Sequence, residues 1–126
     1  DRMYWESRLP PEILAMCDAV LAMVTEVTGQ PLGVIYRKKH IDFELEPDGR
    51  RPVWLRPTKA ALSLGGYVAD ADDWVKRFDD AGQSASLRRG NKAVLVSFTP
   101  AEFDAQQKLN TQSLTAVYQP AADAGD

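Results

Sequence analysis

The chain has 126 residues and a formal net charge of −3, from 15 Lys and Arg residues against 18 Asp and Glu residues. A hydrophobic fraction of 44% and a charged fraction of 26% are ordinary globular values, so the composition excludes disorder along the whole chain. The acidic balance excludes a strongly basic nucleic-acid-binding protein but leaves room for a local basic surface.

The first predicted element is a helix over residues 9–28. Pro10 and Pro11 suit the opening turn of a helix, where a missing N–H is not needed. Gly29 is placed to cap its C-terminus. Ahead of this helix, Trp5 is expected to fold back over the core, and the alternative is a contact with a preceding domain. The apolar residues of the helix recur at helical spacing: Ile13, Cys17, Val20, Leu21 and Val24.

Four short strands are predicted next, beginning with residues 34–37. The second strand, residues 40–46, alternates between an apolar face and a polar face: Ile41, Phe43 and Leu45 against His40, Asp42, Glu44 and Glu46. A turn at 47–50 leads to the third strand, in which Val53 and Leu55 face the core and Trp54 and Arg56 face outward. The fourth strand carries Leu62 and Leu64 inward, and the pair at 65–66, both glycines, is expected to end it.

The second half of the chain predicts a helix, a hairpin and a further helix. Asp70 is expected to cap the helix over 70–81. The hairpin strands, 86–89 and 92–98, join at Gly90 and Asn91, residues that tolerate a positive φ. Thr99, Pro100 and Glu102 form a capping box that begins the third helix. The middle of that helix is polar, so we expect it to be partly exposed or to face a partner.

The predicted order is therefore α-β-β-β-β-α-β-β-α. Strands joined by short turns pair antiparallel, which predicts an α+β two-layer sandwich, a mainly antiparallel sheet with helices on one face. We expect a single α+β domain over residues 1–119 and a flexible tail over 120–126. Because the sequence begins at Asp1 rather than at a methionine, one interpretation is that it is a fragment of a longer protein.

Residue types that carry catalysis are sparse. Cys17 is the one cysteine, which excludes an intramolecular disulfide and a thiolate zinc site within one chain, and it falls on the core stripe of the first helix. His40 is the one histidine, and it lies on the polar face of a strand. The acidic run 70–73 is explained by helix capping rather than by calcium binding. No catalytic residue, metal or cofactor is predicted.

Basic residues gather at the predicted strand turns and beside one outward tryptophan. Solvated charges that protect sheet edges are one interpretation, and recognition of an anion or a nucleic acid is the other. If the partner is a nucleic acid, nine residues are the candidates for binding it: Lys38, Lys39, Arg51, Trp54, Arg56, Lys59, Arg88, Arg89 and Lys92.

Three segments carry a resemblance to a known family: Trp5–Glu12, the Lys-bearing turn into Ile41–Phe43, and Arg56–Leu64. Together they resemble the small bacterial domains of unknown function of the DUF5655 type. Such domains recur at the C-termini of larger proteins, including nuclease-like and restriction-like chains. The resemblance covers residues 5–66, carries no catalytic residue, and implies an accessory module rather than a catalyst.

The leading hypothesis is a non-catalytic binding or interaction module, an accessory domain of a larger bacterial nucleic-acid-processing or defence protein. The alternative is a protein-interaction or self-associating subunit of the antitoxin kind, motivated by the polar third helix and the acidic charge. A third hypothesis is a small-molecule-binding or hydrolytic enzyme that uses His40 with Asp42 or Glu44. No membrane partner is expected, because no apolar run approaches the roughly 18 residues that span a bilayer, and the predicted location is the cytoplasm.

Overall fold

The structure of the protein, a computed structural model, describes residues 1–45 and 49–119. Two sequence predictions lie outside these residues. One concerns positions 46–48, which include Glu46 of the predicted polar strand face and part of the predicted turn, and the other is the tail over 120–126. The elements in chain order are α1 (Arg2–Glu6), α2 (Pro11–Thr28), β1 (Leu32–Tyr36), β2 (Ile41–Leu45), β3 (Arg50–Pro57), β4 (Leu62–Tyr67), α3 (Ala71–Asp80), β5 (Ala85–Arg88), β6 (Ala93–Phe98), α4 (Pro100–Ala105) and α5 (Gln107–Tyr118).

The strands form one antiparallel sheet in the order β1-β2-β3-β4-β6-β5. Helices α2 to α5 pack on the sheet. The predicted α+β fold is confirmed, and the predicted element order agrees with it, apart from the added α1 and the division of the last helix into α4 and α5. Among the helices of the described residues, none is long and apolar enough to cross a membrane.

The main core lies between the sheet and helices α2 to α5. The predicted alternation of β2 is confirmed over 41–45, where Ile41, Phe43 and Leu45 are buried. Val20 and Val24 of α2 are fully buried against the same side of the sheet. Burial of each such side chain contributes about 1.5–3 kcal/mol. This apolar layer fixes which face of the sheet the helices cover and which face stays open.

The N-terminal aromatic residue folds back onto the core, as predicted. Trp5 is 4% exposed and belongs to the main core. It is held on α1, a helix that the sequence analysis did not predict, because five residues are too few to show a helical period. Arg2 ties α1 to α2 by two hydrogen bonds to the Asp18 carboxylate, at 2.7 and 3.0 Å.

Two predicted helix boundaries are confirmed in detail and one differs. Gly29 caps α2 with a φ of 70°. Thr99 and Glu102 form the predicted capping box, with Pro100 in the first helical position. Asp70 occupies the cap position of α3 but has a φ of 56° and makes no side-chain capping bond, so the predicted use of its carboxylate was wrong. In α5, part of the predicted polar stretch is buried, including Asn110.

The glycine pair of β4 lies inside the strand rather than at its end, which corrects the prediction. Gly65 pairs with Trp54 of β3, and a Cβ at Gly65 would overlap the indole ring. Gly66 faces the helices, and a Cβ there would lie 3.0 Å from Val117 Cγ2 of α5. Each glycine therefore makes room for a neighbouring side chain, one on each face of the sheet.

Candidate anion-binding site

The face of the sheet without helices has its own small apolar cluster, which consists of Trp54, Ala93 and Leu95. The register places Trp54 between Asp42 of β2 and Gly65 of β4, and Gly65 opposite Leu95 of β6. Side chains two positions apart on a strand share a face. The strand pairing therefore directs Arg56 of β3 and Arg88 of β5 to this same open face.

Trp54 forms the floor of the open face rather than an exposed platform. It is 5% exposed, although the sequence analysis predicted that it faces outward. Its indole lies over Gly65, the Tyr67 ring is 5.6 Å from it, and the Arg89 guanidinium carbon is 4.7 Å from its ring centroid. The outward direction was right, but the missing Cβ of Gly65 lets the ring sink against the sheet, where neighbouring side chains cover it.

The turn between β5 and β6 holds Arg89 in place. Gly90 and Asn91 both have a φ of 65°, as predicted for this hairpin. Arg89 also has a positive φ, of 55°, and for a side chain of this size the left-handed conformation costs about 1–2 kcal/mol. The Arg89 Nη1 donates a hydrogen bond to the Tyr67 hydroxyl at 3.3 Å. The turn thus places the guanidinium over Trp54 at an energetic cost.

A cleft of about 210 Å³ opens beside this floor. We name it the cationic cleft, and its lining residues are Lys39, His40, Trp54, Arg56, Arg88, Arg89 and Leu95. The cations come from the turn before β2, from β3, from β5 and from the β5–β6 turn. Within the part of the chain that the structure describes, no carboxylate lies within 4.0 Å of the charged nitrogens of Lys39, Arg56, Arg88 or Arg89.

Five of the nine predicted binding residues thus line one cleft. The other four, Lys38, Arg51, Lys59 and Lys92, do not line it. Arg51 instead pairs with Glu44 of β2 at 2.7 Å. Tyr67 was missed by the sequence analysis, because the glycine pair before it was interpreted as the end of the strand. Whether the cleft binds an anion stays a prediction.

His40 lines the cleft, and its Nε2 lies 3.4 Å from the Asp42 carboxylate. Arg37 also donates a hydrogen bond to that carboxylate, at 2.9 Å. Asp42 is therefore engaged by two basic side chains at the β2 side of the face. No Ser, Thr or Cys occurs among the residues that line the cleft. Of the residues in the catalytic hypothesis, the structure places His40 in the cleft with Asp42 beside it, whereas Glu44 pairs with Arg51.

A second depression, of about 470 Å³, lies between the C-terminal end of α3 and the start of α5. Asp80 lies among its lining residues together with Arg77 and Lys108. Because charges of both signs surround it, this depression favours no ligand of one sign. In the described ranges 1–45 and 49–119, no group of three or more His, Cys, Asp or Glu residues is arranged to hold a metal ion.

Cys17 is buried on α2, away from the cleft, and burial raises the pKa of its thiol to about 11. Since the thiolate is the reactive form, only on the order of one molecule in 10,000 would carry it at neutral pH. We expect a thiol reagent such as 5,5′-dithiobis(2-nitrobenzoate) to label the native protein far more slowly than the urea-unfolded protein. Equally fast labelling of both would contradict the packing of α2.

In comparisons with known proteins, no family model and no curated protein matches the chain.

Proposed function

We propose that the protein is a non-catalytic binding module that holds phosphate groups of a nucleic acid in the cationic cleft. In keeping with the resemblance of residues 5–66, we place it in the bacterial cytoplasm, as an accessory to a larger nucleic-acid-processing protein. The observation that supports the proposal is the convergence of Lys39, Arg56, Arg88 and Arg89 on one cleft that no carboxylate lines within the described residues.

Like charges repel, so four converging cations without a counter-charge are more stable when an anion joins them. Arginine supplies planar N–H donors that match two phosphate oxygens at once, and such charge-assisted bonds are about twice as strong as neutral ones. The apolar floor of Trp54 and Leu95 limits water on one side of the cleft, which strengthens these bonds. The net charge of −3 opposes binding over the rest of the surface, so binding depends on this cleft.

The proposal is tested by fluorescence anisotropy with labelled single-stranded DNA and RNA of mixed sequence. We expect binding at low salt that weakens as salt rises, because each phosphate contact on a single strand releases counterions and contributes about −0.7 to the slope of log K against log salt. The double variant R56E/R88E should bind at least tenfold more weakly, a loss of about 1.4 kcal/mol.

The matched control is K76E/K108E, which makes the same change in net charge at two exposed residues of α3 and α5, helices on the opposite side of the sheet from the cleft. We expect its affinity to change by less than about threefold, because these charges lie across the sheet from the cleft and salt screens exposed charges. Absence of binding to either nucleic acid at low salt would refute the proposal. An equal loss in both double variants would show that binding follows net charge and not the cleft.

A second candidate, hydrolysis of a phosphate ester, is favoured by His40, which lines the cleft 3.4 Å from Asp42. In this reaction a water molecule attacks phosphorus and its proton passes to His40. The ester P–O bond breaks, and the alcohol oxygen leaves with the bonding electron pair and takes a proton from solvent. The test is release of p-nitrophenol from p-nitrophenyl phosphate by the wild-type protein and by H40Q. Turnover no faster than buffer would eliminate this candidate and leave the binding proposal unaffected.

A further inference from the structure

Within the proposed function, and resting on it, we infer that the cationic cleft recognises a terminal phosphate, a phosphomonoester, in preference to the internal diesters of a strand. A phosphomonoester carries a charge of about −1.5 to −2 at neutral pH and offers three acceptor oxygens, whereas a diester carries −1. Three features of the cleft favour a phosphomonoester: its size, the charges around it and the fixed position of the Arg89 guanidinium.

The cleft is compact. Its volume of about 210 Å³ is below the roughly 300–1,000 Å³ of pockets that enclose whole small-molecule ligands. Four cations from three separate segments of the chain surround this volume instead of following a line across the sheet. Cations that converge on one point stabilise a concentrated charge more than the same charges spread along a backbone. Such an arrangement fits one doubly charged group better than several singly charged ones.

The β2 side of the open face lacks a basic path for a longer strand. On the β2 side, the open face carries the carboxylates of Asp42 and Glu44. Arg51, the predicted cation on that side, is paired with Glu44, and Arg37 is paired with Asp42. A strand running from the cleft across β2 would bring its phosphates close to these carboxylates. The charges therefore favour a phosphate at the end of a strand, with the cleft as its terminus.

The Arg89 guanidinium is held in a fixed position that suits a terminal phosphate. Its positive φ of 55° is an unfavourable backbone conformation for arginine, and its guanidinium is fixed by the Trp54 ring and the Tyr67 hydroxyl. Unfavourable conformations of this kind concentrate at ligand sites. Apart from the bond to Tyr67, its guanidinium N–H groups have no acceptor among the described residues. A fixed, planar donor group with free N–H edges suits two oxygens of one phosphate.

The experiment compares three single-stranded oligonucleotides of one sequence, with a 5′-phosphate, a 3′-phosphate, or hydroxyls at both ends. Labels are placed internally, and binding is followed by anisotropy at fixed salt. We expect at least one phosphorylated strand to bind tenfold or more tightly than the hydroxyl strand. The slope of log K against log salt should stay at about −0.7, the value for one contacted phosphate on a single strand.

The variant R89K keeps the charge but removes the planar fork, and it should reduce the preference for the phosphorylated strand by at least threefold. Its melting temperature, followed by circular dichroism, controls for folding. R77K serves as the matched substitution, because the Arg77 guanidinium likewise lies over a tryptophan ring, that of Trp74, on the helix-covered side of the sheet. The mononucleotide with the corresponding phosphate and inorganic phosphate, each used as a competitor, identify the source. Competition by the mononucleotide or by inorganic phosphate shows that the phosphate group is recognised without a strand. If neither competes but the phosphorylated strand still binds more tightly, the strand is also needed. Both results support recognition of the phosphomonoester.

Equal affinity for all three strands, at any slope of log K against log salt, would overturn the inference while leaving the proposed function in place. No binding of any strand would refute the proposed function itself. A preference that R89K leaves unchanged, in a folded protein, would contradict the role given to Arg89.

Discussion

Replacing Trp54 by alanine is expected to lower the free energy of unfolding by about 3–5 kcal/mol, the usual cost of truncating a buried aromatic residue to alanine. Trp54 is 5% exposed and, with Ala93 and Leu95, forms the apolar cluster of the helix-free face. Its loss also removes the ring beneath Arg89. Urea denaturation followed by circular dichroism measures the change, and oligonucleotide binding of the same variant should weaken as well.

The close approach of Trp54 to Gly65 allows a double-mutant cycle. G65A alone should cost about 1–3 kcal/mol, because the new Cβ would overlap the indole ring and the ring must move. In a W54A background the overlap disappears, so the second substitution should cost close to nothing. A coupling energy of about 1–3 kcal/mol between the two positions is therefore expected.

The matched control is G33A in β1, also a strand glycine on the open face. A Cβ there would meet Glu44 Cβ at 3.6 Å, an ordinary van der Waals distance. Because alanine restricts the unfolded chain more than glycine does, G33A should leave stability unchanged or raise it by up to about 1 kcal/mol. Additive effects of W54A and G65A would contradict the placement of the ring over Gly65.

The local elements of this fold follow from local sequence patterns. The alternation over 41–45 and the capping box of Thr99 and Glu102 predicted β2 and the start of α4, because each depends on residues within a few positions of one another. Asp70 shows the limit of such patterns. Its residue type favours a capping bond, but Asp70 has a left-handed backbone and its side chain makes no capping bond. The residue type alone does not predict that backbone conformation.

The site depends on pairings that the sequence does not show. Gly65 was interpreted as a strand end because a glycine pair usually marks a turn, and only the register against Trp54 explains why a glycine is needed there. For the same reason, Tyr67 was not predicted to belong to β4 or to the site. The sheet order β1-β2-β3-β4-β6-β5 places the β5–β6 hairpin beside β4, which brings Arg88 and Arg89 toward Arg56. Convergence of these cations is a long-range property of the topology.

The charge pattern has a similar explanation. A net charge of −3 describes the whole chain, but the open face separates charge of one sign from the other. Carboxylates of Asp42 and Glu44 lie on the β2 side and are paired with Arg37 and Arg51, while unpaired cations of the described residues surround the cleft. The gathering of basic residues at turns is visible in the sequence, but the contact between particular turns arises only in the folded sheet.

Replacing Phe98 by alanine is expected to cost about 3–5 kcal/mol, on the other face of the sheet. Phe98 is fully buried, and its ring lies edge-on 6.2 Å from Phe78 of α3 and 5.9 Å from Phe103 of α4. Each such pair contributes about 0.5–1.5 kcal/mol beyond the buried area. Because single domains have a total free energy of unfolding of about 5–15 kcal/mol, the F98A variant should be only marginally stable. Its urea denaturation should have a midpoint at a much lower urea concentration than that of the wild type.

The milder variant F98L keeps most of the volume and should cost about 1–2 kcal/mol, so the protein stays folded for binding measurements. Since Phe98 faces α3 and α4 while the cleft lies on the helix-free face, F98L should bind oligonucleotides as the wild type does. W54A, in contrast, should lose both stability and affinity. Equal losses of affinity in F98L and W54A would show that the cleft is not independent of the helix-covered core. Unchanged affinity in W54A would show that the aromatic floor does not position Arg89.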